Sequence, residues 1–147
     1  MVSLALYQPE IPQNTGTLMR LSACFDMEFH IIEPCGFVWN DKKLSRSVMD
    51  YKKMCRLIRH LCWDDFLQYV DQHDLRIVLI DVAGQSSLWD FKFQENDILL
   101  MGSESCGVPY SVYTLSPQSV HIPQKQGRSL NLALAASLVL GQALRPD

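Results

Sequence analysis

The sequence predicts an α/β fold with a mostly parallel sheet flanked by helices. The chain has 147 residues, and at about 150 residues per domain this length predicts one domain spanning residues 1–147. Short aliphatic runs are nearly continuous in hydrophobicity rather than alternating, as in parallel strands covered on both faces. Segments with helical periodicity separate these runs, and this alternation is typical of a parallel sheet.

Five segments are predicted strands because each is short, aliphatic and bounded by polar or turn-forming residues. They are residues 2–7, 29–33, 76–82, 98–101 and 119–122. A first helix is predicted over residues 15–25, where Leu18 and Phe25 share one face. A second is predicted over residues 64–70, because it opens with acidic residues that suit the amino end of a helix.

The last predicted helix, within residues 130–144, is rich in alanine and leucine and is apolar on nearly every side. A helix of this kind is buried in a core or lies in an interface.

Composition excludes several classes of protein. Hydrophobic residues make up 48% and charged residues 20% of the chain, so disorder, collagen and a coiled coil are excluded. We expect no signal peptide and no membrane helix, because no basic leader and no run of about 18 apolar residues is present. The five cysteines are irregularly spaced and predict neither a disulfide framework nor a metal site, which favours a reducing cytoplasm.

The net charge of -3 hides a strong segregation of charge. Residues 41–60 contain seven basic and two acidic residues, whereas residues 64–104 contain nine acidic and two basic residues. The basic cluster, which includes Lys42, Lys43 and Arg46, is a candidate phosphate-binding patch. The alternative is an ordinary solvated helical face.

Three polar segments follow predicted strands, where open α/β sheets bind their ligands. After the first strand, Asn14 is a candidate helix N-cap, and Arg20 lies further along the same helix. After the strand at 98–101, Gly102 and Gly107 permit close backbone approach, with Glu104 between them.

The third polar segment precedes the last helix. It brings Arg128, Ser129 and Asn131 to the free N–H groups of the first helical turn, a suitable place for a small polar molecule.

Together these segments resemble the SPOUT, or trefoil-knot, RNA methyltransferases, and most of all the TrmL/YibK group that methylates the 2'-hydroxyl of the tRNA wobble nucleoside. The resemblance covers essentially the whole chain and rests on four stretches in the same order and spacing. They are LYQPEIPQNTGTLMR, HIIEPCGFVWNDKKL, LLMGSESCGVP and IPQKQGRSLNLALA.

The resemblance implies a deep C-terminal trefoil knot, a homodimer built on the first and last helices, tRNA as the partner, no metal, and S-adenosylmethionine as the cofactor. The cofactor contacts that it implies are Ile80, Gly102, Ile122 and Ser129. The catalytic residues that it implies are Arg20, Asn14, Glu104 and Asn131. RNA contacts would come from Lys42, Lys43, Arg46 and Arg128.

Arg20 is the residue that the resemblance places beside the reacting hydroxyl. A guanidinium stays protonated in proteins, so we expect it to orient the target and stabilise charge rather than to act as a base.

The chain departs from the family pattern at several positions. Ser103 and Cys106 replace the proline and arginine of GPETRGLP, Ala133 and Leu134 follow Asn131-Leu132 in place of SN, and Gly141 stands where a tyrosine is common. These changes leave open the same chemistry on another tRNA or rRNA nucleotide, or a catalytically weak knotted RNA-binding module. A flavodoxin-like small-molecule binder is the alternative independent of the resemblance.

Overall fold

The fold was analysed in a computed structural model that describes residues 1–40, 42, 44 and 54–146. Its strands are β1 (Ser3–Tyr7), β2 (Glu28–Ile32), β3 (Arg56–His60), β4 (Arg76–Ile80), β5 (Ser86–Ser87), β6 (Asp97–Met101) and β7 (Gln118–His121). Its helices are α1 (Pro12–Cys24), α2 (Trp63–Gln72), α3 (Tyr110–Thr114) and α4 (Leu132–Ala143).

The seven strands form one sheet in the order β3-β2-β1-β6-β4-β7-β5, and every neighbouring pair is parallel. The predicted fold class, a parallel sheet flanked by helices, is therefore confirmed. Because all strands run in the same direction, the loops that follow them meet at one edge of the sheet.

The central strands bury alternate side chains in two apolar layers, since successive residues of a strand point to opposite faces. On one face, Leu4 and Leu6 pack with Leu18 of α1 and Ala136 of α4. On the other, Ala5 packs in a second cluster whose members include Phe66, Val70 and Val112. Helices α1 and α4 therefore share one face of the sheet.

Strands β3 and β5 and helix α3 were not predicted. Strand β3 has the sequence RLIRH, and its Arg56 and Arg59 are exposed at the edge of the sheet. The interpretation of residues 41–60 as one helical face is therefore wrong for its last five residues. Strand β5 has only two residues, too few for a hydrophobic pattern to identify.

The predicted helices are present, with shifted bounds. Helix α1 begins at Pro12 rather than at residue 15, because proline is well suited to the first helical turn. Phe25, predicted to share the apolar face of α1, lies just beyond the helix and is 52% exposed. In α4, Val139 and Leu140 are buried, whereas Leu134 and Leu138 are exposed.

Candidate active site

A cavity of about 900 Å³ lies at the carboxyl edge of the sheet. It is bounded by the ends of β4, β6 and β7, by the first turn of α1 and by the polar loop that precedes α4. The structure brings all four predicted cofactor contacts to this cavity: Ile80, Gly102, Ile122 and Ser129. These residues come from the ends of β4, β6 and β7 and from the loop before α4, and the parallel sheet places those strand ends side by side.

The loop of residues 102–107 forms one wall of the cavity. Its two ends are joined by an antiparallel bridge in which the N–H groups of Ser103 and Gly107 each donate to the other residue's carbonyl, at 2.9 and 3.0 Å. A Cβ on Gly102 would lie 2.6 Å from the Cα of Gly107, and Gly107 itself has φ +64°. Both glycines are therefore required because the loop closes on itself.

Glu104, at the tip of this loop, binds the start of α1. Its carboxylate accepts hydrogen bonds from the backbone N–H groups of Glu10 at 2.7 Å and Ile11 at 3.1 Å. It also accepts one from Asn14 Nδ2 at 3.4 Å. Because Ile11 has no side chain that can cap the helix, a carboxylate from the loop after β6 supplies the cap.

The prediction of Asn14 as the N-cap is consequently wrong. Asn14 is the third residue of α1, and its side chain is buried between two loops. Its Oδ1 accepts a hydrogen bond from Asn131 Nδ2 at 3.2 Å, while its Nδ2 faces Glu104. Asn14 therefore joins the first turn of α1 to the loop of Glu104 and to Asn131, 117 positions further along the chain.

Asn131, in contrast, caps α4 with its side chain. Its Oδ1 accepts from the N–H groups of Ala133 at 2.9 Å and Leu134 at 3.3 Å, which fixes the start of α4. The divergent Ala133 and Leu134 thus contribute backbone groups here. Glu104, Asn14 and Asn131 form one hydrogen-bonded chain, which we call the polar bridge, and all three line the cavity.

The remaining predicted residues are distributed differently. Arg128 lines the cavity from the loop before α4. Arg20 is exposed in the second half of α1 and is not among the residues that line the cavity of its own chain. Lys42 is exposed, whereas Lys43 and Arg46 lie outside the described residues.

The sequence did not predict a second cavity, of about 500 Å³, beside the first. It lies at the ends of β1 and β2, and its lining includes Tyr7, Gln8 and Pro34. The two cavities share Ser103, Cys106 and Gly107, so the 102–107 loop is the wall between them. Gln8, a polar residue that directly follows the first predicted strand, was the available signal.

Glu10 and Ser105 are a further pair that was not predicted. The Ser105 hydroxyl donates to the Glu10 carboxylate at 2.6 and 2.8 Å, and this hydrogen bond lowers the pKa of Glu10. Glu104 also accepts a hydrogen bond from the backbone N–H of Glu10. The wall between the cavities is therefore bonded to both the backbone and the side chain of Glu10, just before α1.

No cluster of three or more histidine, cysteine, aspartate or glutamate side chains suited to a metal ion occurs among residues 1–40, 42, 44 and 54–146. Within the same residues, no helix is both long and apolar enough to cross a membrane.

A parallel sheet with a cavity of this size at its carboxyl edge is the arrangement in which open α/β proteins bind small ligands at their strand ends. Residues 1–141 match the SpoU rRNA methylase family, and the chain belongs to that family. The resemblance based on the four sequence stretches is thereby confirmed.

Individual relatives agree with this assignment along nearly the whole chain. A tRNA (cytidine(34)-2'-O)-methyltransferase of Beijerinckia indica is 46% identical over 97% of this chain and 89% of its own length. A solved structure described as giving insight into 2'-OH methylation of C/U34 on tRNA is 38% identical, with a TM-score of 0.91 over 97% of this chain and 93% of that one.

A third structure shares the fold. The SpoU methyltransferase AviRb of Streptomyces viridochromogenes, solved in complex with AdoMet, has a TM-score of 0.86 at 23% identity. The match covers 97% of this chain and 58% of that one.

Proposed function

We propose that this protein is a tRNA 2'-O-methyltransferase that transfers the methyl group of S-adenosylmethionine to the wobble cytidine or uridine of leucine tRNA isoacceptors. The observation that carries this proposal is the 900 Å³ cavity whose walls combine the predicted cofactor contacts with the polar bridge. Relatives that act on tRNA position 34 support the substrate, since they match nearly the full chain.

The cavity suits S-adenosylmethionine in size and in chemistry. Its volume is within the range of about 300–1,000 Å³ that holds small-molecule ligands. Ile80 and Ile122 offer apolar surface for an adenine ring, while Gly102 and Ser129 offer backbone groups at strand ends and a hydroxyl. AviRb, of the same fold, was solved with this cofactor. When bound, S-adenosylmethionine supplies an electrophilic methyl group.

The chain's own task is to place the ribose 2'-hydroxyl in line with that methyl group. The polar bridge holds three loops at fixed positions around the cavity, so Asn14, Glu104 and Asn131 position both reactants. Arg20 would orient the target nucleotide and stabilise the negative charge that develops on the ribose oxygen.

A homodimer accounts for the position of Arg20, which does not line the cavity of its own chain. Leu134 and Leu138 are exposed and one turn apart on α4, and Leu130 is exposed in the loop before it, so these leucines form an apolar stripe that runs from that loop onto α4. Leu130 also lines the cavity. A second copy packed on this stripe and on α1 would therefore reach the cavity rim, where its Arg20 would complete the site.

We extend the proposal to the trefoil knot. In the sheet, β7 lies between β4 and β5. The N–H of Asp81 donates to the Val120 carbonyl at 3.0 Å and that of Leu88 to the His121 carbonyl at 2.9 Å. The segment between β4 and β5 therefore passes beside the end of β7. This position supports the proposal that the segment forms a loop and that the chain after β7, including α4, is threaded through it.

The RNA would bind along the basic residues Lys42, Lys43, Arg46 and Arg128, which neutralise phosphates. Such an enzyme would work in the cytoplasm, where tRNA is found. The same chemistry on another tRNA or rRNA nucleotide remains the alternative, and the experiments below separate the two.

The test combines two measurements. In a deletion strain, leucine tRNAs are expected to lack 2'-O-methylation at position 34, as measured by mass spectrometry of their nucleosides. Restoring the gene is expected to restore the modification. An unchanged level would exclude this target. Calorimetry with S-adenosylmethionine is expected to give saturable binding, and no heat up to millimolar cofactor would exclude a methyltransferase.

Arg20→Ala provides the mechanistic test. Methyl transfer to the tRNA is expected to be lost, while cofactor affinity stays within a few fold of the wild-type value, because Arg20 is assigned to the target nucleotide and is not among the residues that line the cavity of its own chain. A large loss of cofactor binding would show that its assigned role is wrong.

A further inference from the structure

Arg59, near the end of β3, has an exposed guanidinium held in one orientation. Its Nε and Nη2 lie 2.6 and 2.5 Å from Glu33 Oε1, and its Cζ lies 4.6 Å from the ring centroid of Trp39. The side chain is nevertheless 40% exposed. An arginine fixed in this way loses less rotamer entropy when a ligand binds to it.

The support beneath Arg59 is aromatic. Trp39 lies nearly parallel to Phe37, with ring centroids 6.2 Å apart and an interplanar angle of 24°. Trp39 also packs against the main apolar cluster of the sheet, so the stack is anchored to the core. We call Phe37, Trp39 and Arg59 the stacked platform.

The stacked platform lies at the same edge of the sheet as the two cavities. The N–H of Glu33 donates to the His60 carbonyl at 2.9 Å, which joins the ends of β2 and β3. Residues 34–36, which lead from Glu33 to Phe37, line the second cavity. That cavity shares the 102–107 wall with the proposed cofactor cavity, so along this edge the second cavity lies between the stacked platform and the cofactor cavity.

Charge decides what this surface can bind. The carboxylate of Glu33 neutralises the guanidinium of Arg59, which weakens its attraction for a phosphate but leaves its flat face accessible. Unpaired RNA bases stack on aromatic rings and on guanidinium planes.

We propose that the stacked platform binds an unpaired base of the RNA strand beside the nucleotide to be methylated. This inference rests on the proposed RNA methyl transfer, and it names how the enzyme holds the substrate outside the reacting centre.

The test measures the affinity of the full-length protein for a fluorescent tRNA anticodon stem-loop at several salt concentrations. Arg59→Lys and Trp39→Leu are expected to bind about tenfold more weakly, the loss typical of removing one stacking side chain, with an unchanged salt slope. Trp39→Phe keeps a ring beneath the guanidinium and is expected to restore most of the affinity.

Trp89→Leu is the matched control. Trp89 is 54% exposed and follows β5, at the opposite edge of the sheet from β3, so its replacement is expected to leave RNA affinity unchanged. The unfolding midpoint of each variant shows whether the fold is retained.

The competing outcomes are distinct. A phosphate contact would let Arg59→Lys keep its affinity, and Arg59→Ala would lower the salt slope by about 0.7, the value for one phosphate of a single strand. That result would overturn the inference, and so would wild-type affinity in both Arg59→Lys and Trp39→Leu. Methylation of the stem-loop by the wild-type protein would still support the proposed function. A wild-type protein that neither binds nor methylates the stem-loop would overturn both.

Discussion

The loop carboxylate of Glu104 is expected to be a principal stabilising contact at the start of α1. Glu104→Ala removes three hydrogen bonds to a charged acceptor, two of them from backbone N–H groups at a helix terminus that has no cap of its own. Hydrogen bonds to charged groups contribute about 1.5–3 kcal/mol each to stability when they are shielded from water.

The magnitude is discounted because the site is partly open to solvent. Glu104 is half-buried and Ile11 is 43% exposed, so the freed N–H groups can bond to water. We therefore expect Glu104→Ala to lower the free energy of unfolding by about 2–4 kcal/mol. For a domain of this size, each kcal/mol corresponds to about 2–4 °C in Tm.

Urea denaturation followed by circular dichroism measures this loss. Glu104→Gln is the matched variant, because it keeps the side-chain shape and one acceptor oxygen but removes the charge and replaces the second oxygen with an NH2 donor, so it is expected to lose less stability than Glu104→Ala. A loss below about 0.5 kcal/mol in Glu104→Ala, the range of ordinary surface substitutions, would show that the carboxylate does not cap α1.

Burial, with further contributions from His60 and His73, lowers the pKa of His30 to about 3, so the folded state binds this proton less readily than the unfolded state does. Stability is expected to fall as pH drops from about 6.5 towards 3, by about 2 kcal/mol at pH 5, and His30→Gln should weaken this dependence in acid denaturation. Asn131→Ala should cost about 2 kcal/mol in urea, and Asn131→Ser, which keeps a cap but not the contact with Asn14, about half of that. Leu134→Glu should turn the proposed dimer into a monomer in sedimentation, while Leu61→Glu, at a leucine that is 80% exposed directly after β3, should not.

Hydrophobic pattern was sufficient for the central strands but not for the sheet edges. Residues such as Leu99 and Val78 are fully buried between two helical layers, so beyond their first residues, Asp97 and Arg76, these strands are apolar and easily recognised. Strand β3 pairs with a neighbour on one side only and carries two exposed arginines. At an edge, polar side chains are tolerated, and the pattern no longer separates a strand from a basic loop or helix.

The parts of the candidate site that directly follow a buried strand could be predicted from the sequence. The segments that follow β1, β6 and β7 were identified because polar and glycine-rich residues directly after buried strands meet at one edge. The second cavity and the stacked platform were not, because Glu33, Trp39 and Arg59 are unremarkable as separate residues. Only the pairing of β2 with β3 brings them into contact.

By itself, the sequence determined the parallel α/β class, the family and the three loops that surround the cavity. The tertiary structure decided which side chains hold these three loops in place. Asn14 has the chemistry of a helix cap, but the cap of α1 comes from Glu104, 94 positions from Glu10, whose N–H it binds. The physical reason is that a helix terminus is stabilised by the acceptor nearest in space, and the sheet pairing of β1 with β6 determines which acceptor that is.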